Sequence, residues 1–515
     1  MSWICAQIGA REHYAGEKAK SEKLKVEKMR WITSQIGARE HYALPRVLHR
    51  VGKLERLYTD FWASSPWRLI GKLTGNGSLS TRCHTELAGA PVTAFNIQAL
   101  KASRQRFTNP YEGFLQVGEA FGRNVAKDLE KLSRVESRES RAMLAESRDA
   151  VTNQRLAGAD RTAKQPPWGR VAWESPSSNA EQRPGQQRRG TRAIEMQKKA
   201  LDSRRSTLDS DLVFFGYDTG FLEPARWVKA QGGKTIVCQM DPARYEVDLV
   251  KEEEKRWPGW AKRSVEVPEA YFRRREEEWA VADLVMVNSE WSKQALMKQG
   301  VPASKLVVVP LAFEATQDEG RGTRDEGFNS SFRSQVSSFT KEKPLRVLFL
   351  GQVILRKGIQ YLIEAAMLLK NEAIHFDIVG SIGISDQAVA SAPSNMTFHG
   401  PVSRDRTDEF YRTADLFVLP TLSDGYALTQ LEAMAHGLPV IATPNCGEVV
   451  KDGVDGLIVP ASDSNALAEA FQLLIQDPEK LRSMSVATKA KVEQFSLRRL
   501  GENLERLEEK LKEES

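Results

Sequence analysis

The chain has 515 residues, 41% hydrophobic and 28% charged, a balance that supports sizeable cores and excludes wholesale disorder. Its length predicts about two or three domains. No apolar run approaches the roughly 18–20 residues that cross a bilayer. The first 20 residues carry Arg11, Glu12, Lys18 and Lys20 without an apolar block, so no secretory signal is read there. The four cysteines (Cys5, Cys83, Cys238, Cys446) lie far apart, which suits neither a disulfide framework nor a metal knuckle and fits a reducing cytoplasm. The net charge of +6 is local, because residues 133–208 hold 16 Lys/Arg against 9 Asp/Glu and leave the rest close to neutral.

The chain opens on a repeat. Trp3–Ala15 recurs as Trp31–Ala43, with 11 of 13 positions identical. One repetition is not a solenoid, so residues 1–28 read as a truncated duplicate and Met29 as the functional start. Strands are predicted at Arg30–Ile36, Leu57–Phe61, Leu212–Tyr217, Thr235–Gln239, Leu284–Asn288 and Leu306–Val309. Helices are predicted at Ala43–Val51, Gly113–Leu132, Pro224–Gln231, Tyr271–Ala282 and Ser292–Gln299. The stretch 133–208 is rich in Arg, Ser, Gln and Glu and poor in aliphatics, and is expected to be a disordered insertion whose first third loosely extends the preceding helix. Only Trp168 and Trp173 interleave its charges, so no nucleic-acid partner is expected.

A polar stretch at 314–344 marks the best boundary, and the alternation then restarts. Strands are predicted at Leu345–Leu350, Phe376–Val379, Met396–His399, Leu416–Leu419, Val440–Ala442 and Gly456–Val459. Helices are predicted at Ile359–Lys370, Arg406–Thr413, Leu428–Ala435 and Asn465–Ile475. Leu497, Leu500, Leu504, Leu507 and Leu511 step by three and four, the stripe of a closing helix. Such alternation predicts two α/β units with parallel sheets facing each other across a cleft. Ligands on these sheets bind beyond the carboxyl ends of the strands.

Two constellations sit at such ends. In Gly351-Gln-Val-Ile-Leu-Arg-Lys-Gly358, Arg356 and Lys357 stand beside a helix start that already favours an anion. The plain alternative is a strand–turn–helix with two solvated cations. In the second, Asp424 and Gly425 lie in the loop before a helix that carries Glu432. Two carboxylates so spaced suit different hydroxyl groups of one ligand. The plain alternative makes Asp424 an N-cap and Glu432 a solvated residue, although the apolar neighbours of Glu432 imply that its charge has a partner. An anionic end and a hydroxylated part together describe a nucleotide sugar.

Residues from about 345 to 512 resemble the nucleotide-binding domain of retaining family 4 (group 1) glycosyltransferases. The resemblance rests on Lys357-Gly358, Asp424-Gly-Tyr-Ala-Leu428, Glu432-Ala-Met-Ala-His-Gly-Leu-Pro-Val-Ile-Ala442 and Gly447-Glu-Val-Val-Lys-Asp-Gly-Val-Asp-Gly-Leu-Ile-Val-Pro460. Residues 29–132 and 209–314 are more loosely similar to the amino-terminal domain, most clearly at Ala282–Ser292 and Lys305–Pro310. The resemblance implies the GT-B fold, α/β with two Rossmann-like domains across a cleft. Residues 29–320 would form the acceptor domain, interrupted by 133–208. Residues 321–344 would be a linker and 345–515 the donor domain, with the last helix, 496–513, crossing back onto the first.

The resemblance also implies roles. Lys357 and Arg356 would hold the diphosphate, Asp424 the donor sugar and Glu432 the ribose, with Gly351, Gln352, Gly425, Tyr426, Ala427 and Leu428 lining the donor site. Gly37, Arg39 and His41 in the first loop, and Asp241 in a later one, would face donor or acceptor. The sequence departs from the family pattern at Gln352 (an Arg is usual), Asp424 (Glu) and Ala427 (Gly). These departures support the alternative of a non-catalytic nucleotide-sugar-binding protein on the same fold. The main reading is hexosyl transfer from a nucleotide-diphosphate sugar, with retention, to a saccharide or lipid-linked acceptor in polysaccharide or glycolipid synthesis. No metal or other cofactor is expected, and the implied location is the cytoplasm, with peripheral contact at the inner membrane face.

Overall fold

The computed structural model describes residues 29–63, 82–103, 105–159, 211–314 and 338–513. The expected duplicate (1–28), residues 160–208 of the insertion and residues 321–337 of the linker lie outside the described residues.

The first unit begins with β1 (Arg30–Gln35), α1 (Ala43–Arg50), β2 (Leu54–Thr59), β3 (Val92–Ala94), α2 (Asn96–Ser103) and α3 (Pro110–Ala159). It continues with β4 (Leu212–Tyr217), α4 (Leu222–Ala230), β5 (Lys234–Gln239), α5 (Arg244–Arg256), α6 (Glu269–Val281), β6 (Leu284–Val287), α7 (Glu290–Lys298) and β7 (Leu306–Val308). Its seven strands pair in the order β3-β2-β1-β4-β5-β6-β7, all parallel. Strands covered on both faces read as continuous apolar runs, which is why Leu-Val-Phe-Phe-Gly-Tyr217 is buried at five of its six positions. The chain leaves β1 toward β2 on one side and resumes at β4 on the other. The loops after β1 and β4 therefore diverge and open a crevice at the switch point of the sheet.

The second unit holds β8 (Leu345–Leu350), α8 (Ile359–Leu368), β9 (Ile374–Val379), α9 (Asp386–Ala390), β10 (Met396–Gly400), α10 (Thr407–Thr413) and β11 (Leu416–Leu419). After these come α11 (Leu428–Ala435), β12 (Val440–Ala442), β13 (Gly456–Ile458), α12 (Ser464–Gln476), α13 (Pro478–Val492) and α14 (Leu497–Glu513). Its six strands pair as β10-β9-β8-β11-β12-β13, again all parallel. The fold is α/β, with two Rossmann-like layers facing each other.

The striped helix α14 does not cover its own sheet. Leu497, Leu500, Leu504, Leu507 and Leu511 are all buried in one cluster with Met29, Trp31, Val47 and Val213 of the first unit. Glu508 fixes the docking, accepting from Trp31 Nε1 at 2.8 Å and from Lys53 Nζ at 2.7 Å. Among the described residues, no helix is long and apolar enough to cross a membrane.

Candidate functional site

The site forms where the carboxyl ends of the two sheets meet. After β8 the chain turns through a short helical turn, Leu355–Lys357, into α8. Gly358 makes this turn at φ 73°, and a Cβ there would lie 2.7 Å from the Pro420 carbonyl carbon, so only glycine lets this loop press on the loop after β11. Arg356 and Lys357 are thereby aimed at that second loop. Lys357 Nζ forms an ion pair with Asp424. Arg356 Nη1 donates to the Ser423 carbonyl at 2.8 Å and lies 3.8 Å from Asp424 Oδ1. Asp424 is therefore no helix cap; the cap position of α11 is Ala427, which caps with no side chain.

The amino-terminal unit closes on the same loop. A Cβ on Gly425 would fall on the Met240 carbonyl oxygen and lie 2.7 Å from its carbon. Ser289 Oγ donates to the Gly425 carbonyl at 2.7 Å, and Trp291 Nε1 to Ser423 Oγ at 3.0 Å. Ser423 Oγ in turn donates to Glu246 Oε2 at 2.8 Å, and Arg356 Nη1 stands 3.5 Å from the same carboxylate. One helical stretch further along α5, Glu253 is buried and accepts from Tyr361 Oη at 2.8 Å and Gln360 Nε2 at 3.1 Å, both on α8. Burial pushes the Glu246 carboxyl up to about 7 against the pull of Arg356, and the Asp241 and Asp424 charges add to the rise. Burial opposes the charge of Arg356, but the carboxylates around it raise its pKa above the ordinary value.

Asp241 lies in this wall but is spoken for. Its two oxygens accept from Arg275 at 2.9 Å each, and Oδ1 also accepts from the Ala243 amide at 2.8 Å. Burial raises its pKa, yet Arg275 outweighs this and holds it below the usual carboxylate range. An ionised, bidentate carboxylate orients the loop and is poorly suited to carry a proton at neutral pH.

The first loop lies at the switch point of the sheet. Gly37 has φ 81°, and Glu40, His41 and Tyr42 follow at φ 50°, 50° and 61°. Three consecutive left-handed residues with side chains cost about 1–2 kcal/mol each, strain that concentrates at functional sites. The turn sets Arg39 Nη1 3.0 Å from Met240 Sδ and puts Glu40 Oε1 3.2 Å from the Tyr217 hydroxyl that donates to it. Burial pushes the Glu40 carboxyl up to about 7, opposed by the Tyr217 hydrogen bond and by Arg39. His41 Nε2 lies 3.0 Å from Arg404 Nη2 of the second unit. Burial, then the charges of Arg404 and Arg46, lower the His41 pKa, with Glu432 pulling the other way.

Glu432 on α11 does have its partner, as Tyr411 Oη donates to Glu432 Oε2 at 2.8 Å. Lys357, Arg356, Asp424 and Gly425 thus meet the Met240–Asp241 loop, with Arg39 beside Met240, while His41 reaches Arg404 and Glu432 is held by Tyr411. Gln352 is exposed, and Gly351 lies against Gly380 with open space where a side chain would stand. Tyr426 departs from its expected place. Its ring is buried in the core against Gly447 and Phe495 rather than facing the cleft. Ala427 is buried and Leu428 opens α11. Residues absent from the sequence reading include Glu246, Glu253, Ser289, Trp291, Glu40 and Tyr411. Among the described residues, no cluster of three or more His, Cys, Asp or Glu is arranged to hold a metal ion.

Residues 344–477 match the family model for group 1 glycosyl transferases. The match covers most of the carboxy-terminal unit. It spans β8 to α12 and so includes Lys357, Asp424 and Glu432. Over a longer stretch, the chain is 26% identical across 328 residues to the amylovoran biosynthesis glycosyltransferase AmsK of Erwinia amylovora, covering 60% of this chain and 72% of that protein. It is 31% identical across 180 residues to the D-inositol 3-phosphate glycosyltransferase of Arthrobacter sp. (strain FB24), covering 32% of this chain and 43% of that relative. Among solved structures, Anabaena Alr3699/HepE in complex with UDP superposes with a TM-score of 0.49 at 14% identity, over 93% of this chain and 99% of that one.

Proposed function

We propose that the protein transfers a hexosyl group from a nucleoside diphosphate sugar to a hydroxyl acceptor, with retention of anomeric configuration, in the assembly of a polysaccharide or glycolipid. The observation that carries this reading is the convergence of Lys357, Arg356, Asp424 and the Gly425 loop on the closed face of the amino-terminal unit. The bond from the anomeric carbon to the diphosphate oxygen breaks, and the acceptor oxygen bonds to that carbon. The acceptor proton leaves with the departing phosphate oxygen. Negative charge grows on the diphosphate, where the Lys357 ammonium and the free amides at the starts of α8 and α11 are preset to meet it. Asp424 and Glu432 accept from hydroxyl groups of the sugar and the ribose. The crevice at Arg39, Glu40 and His41 receives the acceptor, on the same face as the leaving group. AmsK's part in amylovoran biosynthesis supports a polysaccharide product. Work at the cytoplasmic face of the membrane accords with such a product.

The test is a thermal-shift panel of UDP-, GDP- and ADP-sugars, followed by product analysis with whichever donor stabilises the protein. Transfer to a saccharide acceptor with retained anomeric configuration in the product NMR spectrum is the expected result. An inverted product, or no donor that binds, overturns the reading.

A further inference from the structure

Behind Glu432 lies a connected set of side chains on two helices. On α10, Asp408 and Tyr411 are three residues apart; Glu432 on α11 and His436 at its C-cap are four apart, so each pair lies on one side of its helix. Tyr411 is 2% exposed. Its ring stacks on the His436 imidazole, with centroids 4.9 Å apart and planes 17° from parallel. His436 is pinned at both nitrogens, by the Glu432 carbonyl at 2.8 Å and by Asp408 Oδ1 at 2.6 Å. The phenol then reaches Glu432 Oε2 at 2.8 Å, while Oε1 has no hydrogen-bond partner among the described residues. Burial and the neighbouring Glu432 charge hold the Tyr411 phenol well above its ordinary pKa, so it remains a donor across the working range.

We propose that Tyr411, braced by the Asp408–His436 pair, is a positioning residue that presets the Glu432 carboxylate to grip the cis-diol of a nucleotide ribose. The proposal rests on the donor-site reading above. A glutamate carboxylate rotates freely about its last torsion. Anchoring one oxygen from behind fixes its plane, leaving Oε1 and the second lone pair of Oε2 for ligand hydroxyls. Preset acceptors avoid the ordering cost of binding.

Calorimetric titration tests this with uridine, guanosine and adenosine 5′-diphosphates and with the 2′,3′-dideoxy form of whichever binds. The wild-type protein is expected to prefer the ribo form by about tenfold or more, the scale of hydrogen bonds to a charged group. Tyr411→Phe keeps the ring and its stacking, and should shrink that preference by about three- to tenfold while leaving dideoxy affinity unchanged. In a Glu432→Ala background the same change should do nothing. Equal weakening of both ligands, or an unchanged preference in folded Tyr411→Phe, overturns the positioning role. A wild-type protein that binds both forms equally overturns the ribose contact while leaving the diphosphate reading intact. A wild-type protein that binds no nucleoside diphosphate overturns the donor-site reading itself.

Discussion

Replacing Gly425 by alanine adds one methyl group at the seam between the two units. The backbone there is compatible with alanine, since Gly425 is not among the glycines with positive φ. The obstacle is contact alone. The added Cβ would meet the Met240 carbonyl, with its carbon at 2.7 Å and Asp241 Cα at 3.2 Å, where ordinary contacts begin at 3.4 Å. Clearing the carbon alone needs 0.7 Å, the difference of those two values, and the oxygen lies nearer still. The seam must therefore open by more than about 1 Å, and a misplacement of about 1 Å already costs about 100-fold in a positioned reaction. Both partners are backbone, so no rotamer relieves the clash. Each unit keeps its own core, so the melting temperature should fall far less than activity. The assay is kcat/KM with the donor selected by the thermal-shift panel, with Gly89→Ala as control, because a Cβ at Gly89 meets nothing within 4 Å. Wild-type kcat/KM in a folded Gly425→Ala protein would refute the claim that the reactive state is the closed seam.

Other substitutions report on other parts of the molecule. Lys357→Ala removes the mobile cation from the proposed diphosphate site and should lower turnover by about 100-fold or more with the fold intact, as measured by steady-state transfer. Leu504→Ala empties a buried position where α14 docks on the first unit, and should cost about 2–5 kcal/mol in denaturant melts. Glu40 titrates near 7 in the folded protein, against 4.5 as its reference value. The folded state thus binds the extra proton between those values, so the contribution of Glu40 to stability is complete below about 4.5 and lost as pH rises through about 7. Glu40→Gln, permanently neutral, should gain on the wild type between pH 5 and pH 8 by about 2–4 °C in melting temperature. A difference that does not change with pH counts against the buried carboxyl.

The strands were legible because burial on both faces writes them as apolar runs, and β4, β8, β11 and β12 coincide with their expected bounds. β2 lies three residues earlier at its start than the sequence suggests, because Leu54, Glu55 and Arg56 extend it with a mixed polar pattern. Helix α5 was invisible for a related reason. Its text, Arg-Tyr-Glu-Val-Asp-Leu-Val-Lys-Glu-Glu-Glu-Lys-Arg256, reads as solvated charge, yet Glu246 and Glu253 turn inward and find cations and hydroxyls across the seam. Only the partner unit reveals that these charges are satisfied. The same holds for Glu40, whose aim depends on a left-handed turn that no side-chain pattern announces. Tyr426 misled in the opposite direction, since its place in a loop of ligand-facing type hides that its ring completes a core.

The two cations of the cleft are not equivalent, and their surroundings say which one moves. Arg356 is gripped by the Ser423 carbonyl and stands between the Glu246 and Asp424 carboxylates, one from each unit. A planar guanidinium held in several directions is a brace. Lys357 has Asp424 as its ion-pair partner, and an ammonium on a flexible stem can leave one anion for another. The Asp424 carboxylate balances the Lys357 charge while no other anion is present. Under the proposed function, an arriving diphosphate brings more negative charge than Asp424 and takes the ammonium, which releases the Asp424 carboxylate for the sugar hydroxyls. On the proposed reading, one displacement therefore prepares both halves of the donor site. The aspartate at 424 then serves as the resting partner of the lysine, as well as a shortened sugar contact.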